Sequence, residues 1–445
     1  MTNERMMKDA PIGRLLLQMS LPVIVVMLVN VLYNMADVFF IGRTGQTVQV
    51  AAISLSGPVF AVFSAFNTLL GFGACTAVSM ALGRGDRMLC RRYTSFCLYA
   101  SLGIGLFSAA IVWIGLEPLL RLLGADGQTA PHAALYLRVF SLGAPFMVAG
   151  GSLGNTLRAD GDSRSAMIGT MLGTVANILL DPVFISLFGW GIVGAAAATV
   201  IGNILSFAAM LRLAKEKDFF SLSPKDFILR REISLTVLGY GLPMAAGTLL
   251  MSFSSTFANR LLVLYGNEAV AANGVAGKAG MLIAMLIMGV CMGVQPAVSY
   301  AYGRGDRGRL RQIVFGTGIA AVLLGCVLGG AFFLLRERFV ASFLDDPAVL
   351  AFGRRMVLGG IATAPFYGIY QMSAVFLQGT GKVSYATVTA LLQKGIVYIP
   401  VLYLMHRFLG LTGLIFAPAV TDFIATLTAV VLSLLWAAHL DLVKS

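Results

Sequence analysis

Charge is scarce in this chain. Asp, Glu, Lys and Arg make up 12% of its 445 residues, hydrophobic residues make up 58%, and mean hydropathy is +0.86. Soluble domains carry about 25% charged residues, so a water-soluble globule is excluded. Histidine is rarer still, with three residues, and there are five cysteines. Cys75, Cys90, Cys97, Cys291 and Cys326 are odd in number and show no CxxC or Cys/His spacing, which points away from disulfides and from a bound metal. The sequence also lacks a Ser/His/Asp arrangement, a phosphate-binding loop and a dinucleotide fingerprint. An enzyme is therefore not expected, nor a cofactor, and work done by this chain must draw on an ion gradient. The net charge of +12 is spread over short loops rather than gathered in a patch, so it does not suggest a nucleic-acid partner.

Long apolar runs are what the chain has in abundance. Most exceed the roughly 20 residues that a helix needs to cross the hydrocarbon layer, and they lack the alternating pattern of an outer-membrane barrel. The first run follows Arg5, Lys8 and Arg14 and continues to about Ile41 with no small-residue cleavage site, so it reads as a retained span. Apolar runs punctuated by polar, Gly and Pro clusters predict spans near 15–42, 51–82, 94–116, 134–157, 166–188 and 190–212. A second set is predicted near 235–265, 271–302, 313–335, 352–377, 385–408 and 412–437. The expected fold class is an all-α integral membrane protein with about twelve transmembrane helices. The polar stretch Arg212–Glu232 divides it into an N-terminal six-helix lobe (1–212), a cytoplasmic linker (213–234) and a C-terminal six-helix lobe (235–445).

Alternate loops put about 21 of the 32 Lys and Arg residues on one side, together with both termini. By the positive-inside rule that side is cytoplasmic. The pentapeptide GRGDR occurs on it twice, at Gly83–Arg87 and Gly303–Arg307. Further matches recur at nearly the same offset: LP at Leu21 and Leu242, APF at Ala144 and Ala364, LRADGD at Leu157 against LQGTGK at Leu377. The two halves are thus an internal repeat. Six spans return the chain to its starting side, so the repeats are parallel, an arrangement that commonly encloses a substrate path.

Acids inside spans carry the most information, because a carboxylate at the bilayer centre costs about 2.5 to 3.5 kcal/mol even on the lenient insertion scale. Asp37 closes the pattern NVLYNMAD, which sets Asn30, Asn34 and Asp37 at helical spacing with Tyr33 one turn before the acid. Asp181 lies one turn after Asn177, and Pro182 follows it, freeing a carbonyl one turn earlier. Both acids belong to the first half; their repeat positions in the second half are apolar or small and polar. The asymmetry points to a proton or monovalent-cation site, the plainer reading of Asp37 being a hydrogen-bonding link between helices. Asp422, in the last span beside Thr421 and Thr426, either lines the second lobe or sits shallow. Lys278, Lys394 and Arg260 offer at most an ion pair with Asp422 or Glu268.

LYNMADVFFIG in the first span, NILLDP at Asn177–Pro182, GVQPAVSYAYGRGD, and LRADGD with LQGTGK together resemble the multidrug and toxic compound extrusion (MATE) family, over nearly the whole chain. The resemblance implies a monomeric, multi-pass transporter of the bacterial plasma membrane that exports cationic or amphipathic drugs by antiport with Na+ or H+, and so confers resistance. It implies an ion or proton coupling site at Asp37, Asn177, Asp181 and Thr199, a supporting network of Tyr33, Asn30 and Asn34, and a hinge at Pro22. Some members carry a further acid in the seventh helix, where this chain reads MSFSSTFAN and has none. A flippase for a lipid-linked cell-wall or polysaccharide precursor shares such a scaffold and is the alternative. It calls for several cavity arginines, and Arg260 is the single candidate.

Overall fold

The computed structural model describes residues 3–42, 47–341 and 347–440, with side chains at all of these except 32–42, 47, 267–272, 275–276, 339–341, 347–352 and 354. Among the described residues every regular element is a helix. Hydrocarbon offers backbone N–H and C=O groups no partner, and a helix satisfies them within itself.

The first half contains α1 (Asn3–Asp9), α2 (Ile12–Gly42), α3 (Thr47–Arg84), α4 (Arg87–Ile114), α5 (Leu116–Leu122), α6 (Thr129–Leu142), α7 (Ala144–Leu157), α8 (Ser163–Asp181) and α9 (Gly191–Lys215). The second contains α10 (Arg231–Leu262), α11 (Asn267–Gly293), α12 (Gln295–Gly303), α13 (Arg307–Ala341), α14 (Pro347–Gly379), α15 (Val383–Leu391) and α16 (Tyr398–His439). Nine described segments are long and apolar enough to cross a membrane. The span expected at 134–157 is a pair, α6 and α7, bent by 50° at Gly143. The segment Val383–His439 is 57 residues long and its helix breaks at Gly410 (φ 59°, ψ −134°), a conformation open to glycine, so it supplies two crossings. Counted as one span, the bent pair brings the candidate segments to ten among the described residues.

The chain packs as two compact units. One comprises residues through Met6 together with Val25–Ala245; the other comprises Met7–Ile24 together with Ala246 onward. Helices α2 and α10 are therefore each divided between units, within three residues of Pro22 and Pro243 respectively. In each unit the borrowed helix segment is seated on a glycine. In the first, a Cβ on Gly73 of α3 would fall 1.9 Å from the Val237 carbonyl, and one on Gly241 of α10 1.7 Å from the Leu69 carbonyl. In the second, a Cβ on Gly293 of α11 would fall 2.5 Å from Ser20 Cα, and the Ser20 hydroxyl donates to the Val290 carbonyl at 2.8 Å. Without a hydrophobic drive between helices in lipid, close backbone contact of this kind is what holds spans together.

Both GRGDR copies fold alike. Gly85 and Gly305 turn left-handed (φ 77° and 71°), and Asp86 and Asp306 cap the next helix by accepting from the backbone N–H of Leu89 (2.9 Å) and Arg309 (3.0 Å). Arg87 then reaches Asp218 (3.0 Å) and Glu4 (2.5 Å), while Arg309 donates to the carbonyls of Met7 (3.0 Å) and Ala10 (2.7 Å). Residues 217–227 are tied down along the same end of the first unit. Lys217 pairs with Asp160 (2.9 Å) and Asp162 (2.7 Å), Tyr99 donates to the Leu222 carbonyl (2.7 Å), and Phe227 stacks on Phe96. The segment is a strap, not a free tether.

Two outcomes follow from this packing. Gly73→Ala forces α3 and α10 apart at a cost of about 1 to 3 kcal/mol, seen as a lower melting temperature in detergent, whereas Gly103→Ala, with nothing within 4 Å of the added Cβ, leaves it unchanged or slightly raised. Lys217→Met leaves Asp160 and Asp162 unpaired and speeds tryptic cleavage at Lys225, Arg230 and Arg231 several-fold, while Lys217→Arg retains the wild-type rate.

Candidate ion-binding site

Helices α8 and α9 form an antiparallel hairpin whose closest approach is again set by glycine. Gly169 and Gly173 lie four residues apart on α8, the small-xxx-small pattern of membrane helix contacts. A Cβ on Gly173 would come within 2.4 Å of the Gly202 carbonyl, and one on Gly202 within 2.7 Å of the Gly173 carbonyl. One turn further along, this contact brings Asn177 of α8 against Thr199 of α9. The Asn177 amide Nδ2 donates to Thr199 Oγ1 at 3.2 Å, and the Thr199 hydroxyl donates to the Ala195 carbonyl at 3.0 Å. Asn177 Oδ1 is buried and accepts no hydrogen bond from any described residue. Asp181 stands one turn beyond Asn177 with its side chain wholly buried at 0% exposure.

Pro182 ends α8 and opens a π-helical turn, Pro182–Leu187. Proline cannot donate, so the helix widens, and the Phe188 N–H reaches back five residues to the Val183 carbonyl (2.9 Å). Such turns are frequent at functional sites. Glycines at positive φ, Gly189 (68°) and Gly191 (52°), then reverse the chain, and the rings of Phe184, Phe188 and Trp190 close the hairpin with centroids 5.2 to 5.9 Å apart. Ile185 and Ala195 pack beneath against Val50 and Ile53 of α3. The buried acid is thus held by irregular backbone inside a packed wall, where such backbone is tolerated at membrane depth.

A carboxylate, a hydroxyl and an amide carbonyl with unused acceptor capacity form an all-oxygen donor set. Oxygen donors suit a hard cation such as Na+, and the same carboxylate can take a proton. The residues present fit either.

Of the residues expected at this site, the structure joins Asn177 and Thr199 by a hydrogen bond, and Asp181 follows one turn along α8. Tyr33, Asn34 and Asp37 belong to α2, but their side chains lie outside the described residues. Asn30 is half-buried on the same helix. Pro22 stands apart, on the segment of α2 that belongs to the second unit. The Gly173–Gly202 contact that sets the site was not read from the sequence, although the Gly169–Gly173 spacing is a signal that could have found it.

The MatE family model matches the chain twice, over residues 22–183 and 243–404. The chain belongs to the MATE family. Its two matches succeed one another at the interval of the internal repeat. The multidrug export protein MepA of Staphylococcus aureus (strain NCTC 8325 / PS 47) is 30% identical over 426 residues, covering 96% of this chain and 94% of that protein. A MATE crystal structure in the bent conformation superposes with a TM-score of 0.92 at 23% identity, covering 99% of this chain and 98% of the other. One in the straight conformation gives 0.90 at 24% identity, covering 98% of each. The MATE fold thus extends over the whole described chain.

Thr199→Val leaves the Asn177 amide buried without its acceptor, a loss of about 1 to 3 kcal/mol. The expected result is a fall of several degrees in the melting temperature of the purified protein, restored by Thr199→Ser, which keeps the hydroxyl.

Proposed function

We propose that this chain is a secondary active multidrug transporter of the bacterial plasma membrane that exports cationic, amphipathic compounds in exchange for Na+ or H+. The observation that carries the reading is the buried Asn177–Thr199 pair, with an Asn177 carbonyl whose acceptor capacity is unused and the wholly buried Asp181 one turn along the same helix. MATE membership and the 30% identity to a multidrug export protein support the drug-export half. Asp37 completes the site from α2, with Tyr33, Asn34 and Asn30 in its polar surround.

Coupling follows from differential affinity. An ion or drug bound equally in two states shifts nothing, so the ion must favour the state from which the drug leaves. Pro22 supplies the mobile point. It removes one backbone hydrogen bond from α2, two residues before the helix passes from one compact unit to the other. Pro243 occupies the matching place on α10, so the repeat provides a pair of weakened points rather than one. The existence of MATE structures in bent and straight conformations is consistent with a helix of this kind changing shape. The GRGDR loops and both termini lie on the cytoplasmic side, and the monomer suffices.

The test is ethidium efflux from energised inside-out and right-side-out vesicles, with a sodium gradient and a pH gradient imposed separately. One gradient is expected to drive efflux, and Asp181→Asn is expected to abolish the driven component at equal protein level. Efflux that responds to neither gradient, or that survives Asp181→Asn unchanged, overturns the reading.

A further inference from the structure

The second unit carries an apolar groove on its surface, between α13, α14 and α16, that the site above does not use. Its volume of about 370 Å³ falls in the range of about 300 to 1,000 Å³ typical of ligand sites. Gly318, Met372 and Phe376 form the floor, the last two buried, while Phe315 and Ile319 of α13 stand exposed along the rim. The groove owes its depth to the missing side chain at 318, where a Cβ would meet Met372 Cγ at an ordinary 3.7 Å. It is built from the start of α13, which begins at Arg307, and from the ends of α14 and α16, at Gly379 and His439. It therefore opens toward the end of the bundle that carries the second GRGDR loop.

Ser433 of α16 adds one polar atom to the wall. Hydroxyls in membrane helices commonly bond back one turn, and those of Thr426 and Thr428 do so, to the carbonyls of Asp422 and Ile424. Ser433 Oγ is buried and has no hydrogen-bond partner among the described residues. It sits six residues before the end of the helix, about 9 Å at the helical rise, where hydrocarbon gives way to head groups. Toward the same end a cation flanks the groove on each side. The Arg311 guanidinium lies 5.9 Å from the ring centroid of Phe315, and Lys382 Nζ lies 4.6 Å from that of Trp436 and 5.0 Å from that of Tyr385. Trp436 is one turn past Ser433, and its indole N–H donates to Thr380 Oγ1 at 2.9 Å, which fixes the ring beside the ammonium. Tryptophan at this level is an interfacial anchor. Among the described residues no carboxylate pairs with Lys382.

An apolar slot that ends in two cations, with a hydroxyl lacking an acceptor at the junction, is complementary to a molecule with an acyl chain, an ester carbonyl and an anionic head group. We propose that the groove binds an anionic phospholipid. Its acyl chain lies against Gly318, Met372 and Phe376, an ester carbonyl accepts from Ser433 Oγ, and its phosphate sits by Arg311 and Lys382. Basic pockets between spans on the cytoplasmic side are where anionic head groups are held. A lipid that merely wets the surface needs neither a slot nor a hydroxyl left without an acceptor, and an unmet hydroxyl in hydrocarbon is costly. The proposal rests on the topology read above only for the leaflet that supplies the lipid, and it is independent of the ion site and of drug export.

The test uses the full chain carrying Trp113→Phe and Trp190→Phe, which leaves Trp436 as the single tryptophan. It is placed in phosphatidylcholine nanodiscs doped with a phospholipid brominated on its acyl chains, a short-range quencher of indole fluorescence. A nanodisc presents both leaflets, so binding is read whichever leaflet supplies the lipid. Brominated phosphatidylglycerol is expected to quench Trp436 with about tenfold higher apparent affinity than brominated phosphatidylcholine of the same chains, from two cation contacts each worth a few-fold. That preference is expected to shrink at about 0.5 M salt. Arg311→Gln and Lys382→Gln each lower it several-fold and together abolish it; ratios are taken within each variant, so altered Trp436 emission does not enter. Gly318→Leu fills the slot and reduces quenching by both lipids, whereas Gly318→Ala leaves it open and retains the parent value. Equal quenching by the two lipids in the parent protein, the result for ordinary boundary lipid, overturns the proposal without recourse to any further variant. So does Gly318→Leu quenched like the parent. So does parent quenching that is weak with both lipids and rises as the protein is diluted, which would seat a second copy of the chain on the groove. Gradient-driven efflux is read in a separate assay, so failure here leaves the transport reading standing.

Discussion

The close approach of helix backbones at glycine is the constraint on which the rest of this protein depends. Apolar side chains gain little by leaving lipid for one another, so spans must be held by backbone proximity and by polar contacts. Gly73 against Val237, Gly293 against Ser20, and Gly173 against Gly202 each admit a neighbouring backbone to a distance that no Cβ would permit. The first two seat α10 and α2 in the units that receive them. The third sets the spacing at which Asn177 and Thr199 meet. Support and site are thus products of one packing rule applied at three places.

That rule explains why the polar chemistry sits where the helices are least regular. A regular helix in hydrocarbon has spent its backbone hydrogen bonds on itself and has none to offer. Pro182 and the π turn after it release carbonyls beside Asp181, and the π turn at Leu392–Ile396 swings Gln393 toward Asp422. Each irregular segment falls in the fifth span of its half, though not at equivalent residues. The duplication therefore preserved a tendency to break that span while letting the site move along it.

Much of the fold is legible in the sequence because membrane insertion writes itself in composition. Runs of apolar residues mark the crossings, the repeated GRGDR and the LRADGD–LQGTGK correspondence mark the two halves, and the cost of burying Asp181 singles out one site residue from its position in an apolar run alone. What stays hidden depends on partners far apart in the chain. The run at 134–157 stays predominantly apolar on both sides of Gly143, so its bend there leaves no gap in hydropathy. The stretch from Lys217 to Phe227 reads as a polar connector because its anchors, Asp160, Tyr99 and Phe96, lie 57 to 131 residues from their partners or on other helices. Gln393 and Asp422 are 29 residues apart on different helices, a separation to which helical periodicity is blind.

The two halves answer the same electrostatic problem differently. An acid within the membrane must be neutralised, and the choices are a proton, a bound cation or a fixed positive side chain. In the first half Asp181 is wholly buried, one turn along α8 from an Asn177 carbonyl with spare acceptor capacity. In the second half Asp422 has an amide donor already in place, Gln393 Nε2 at 2.8 Å. A site filled by an exchangeable ion can respond to a gradient. Starting from one duplicated scaffold, the chain thus holds an intramembrane acid in each half with a different polar surround, and the difference is set by a few side chains on the fifth span of each half.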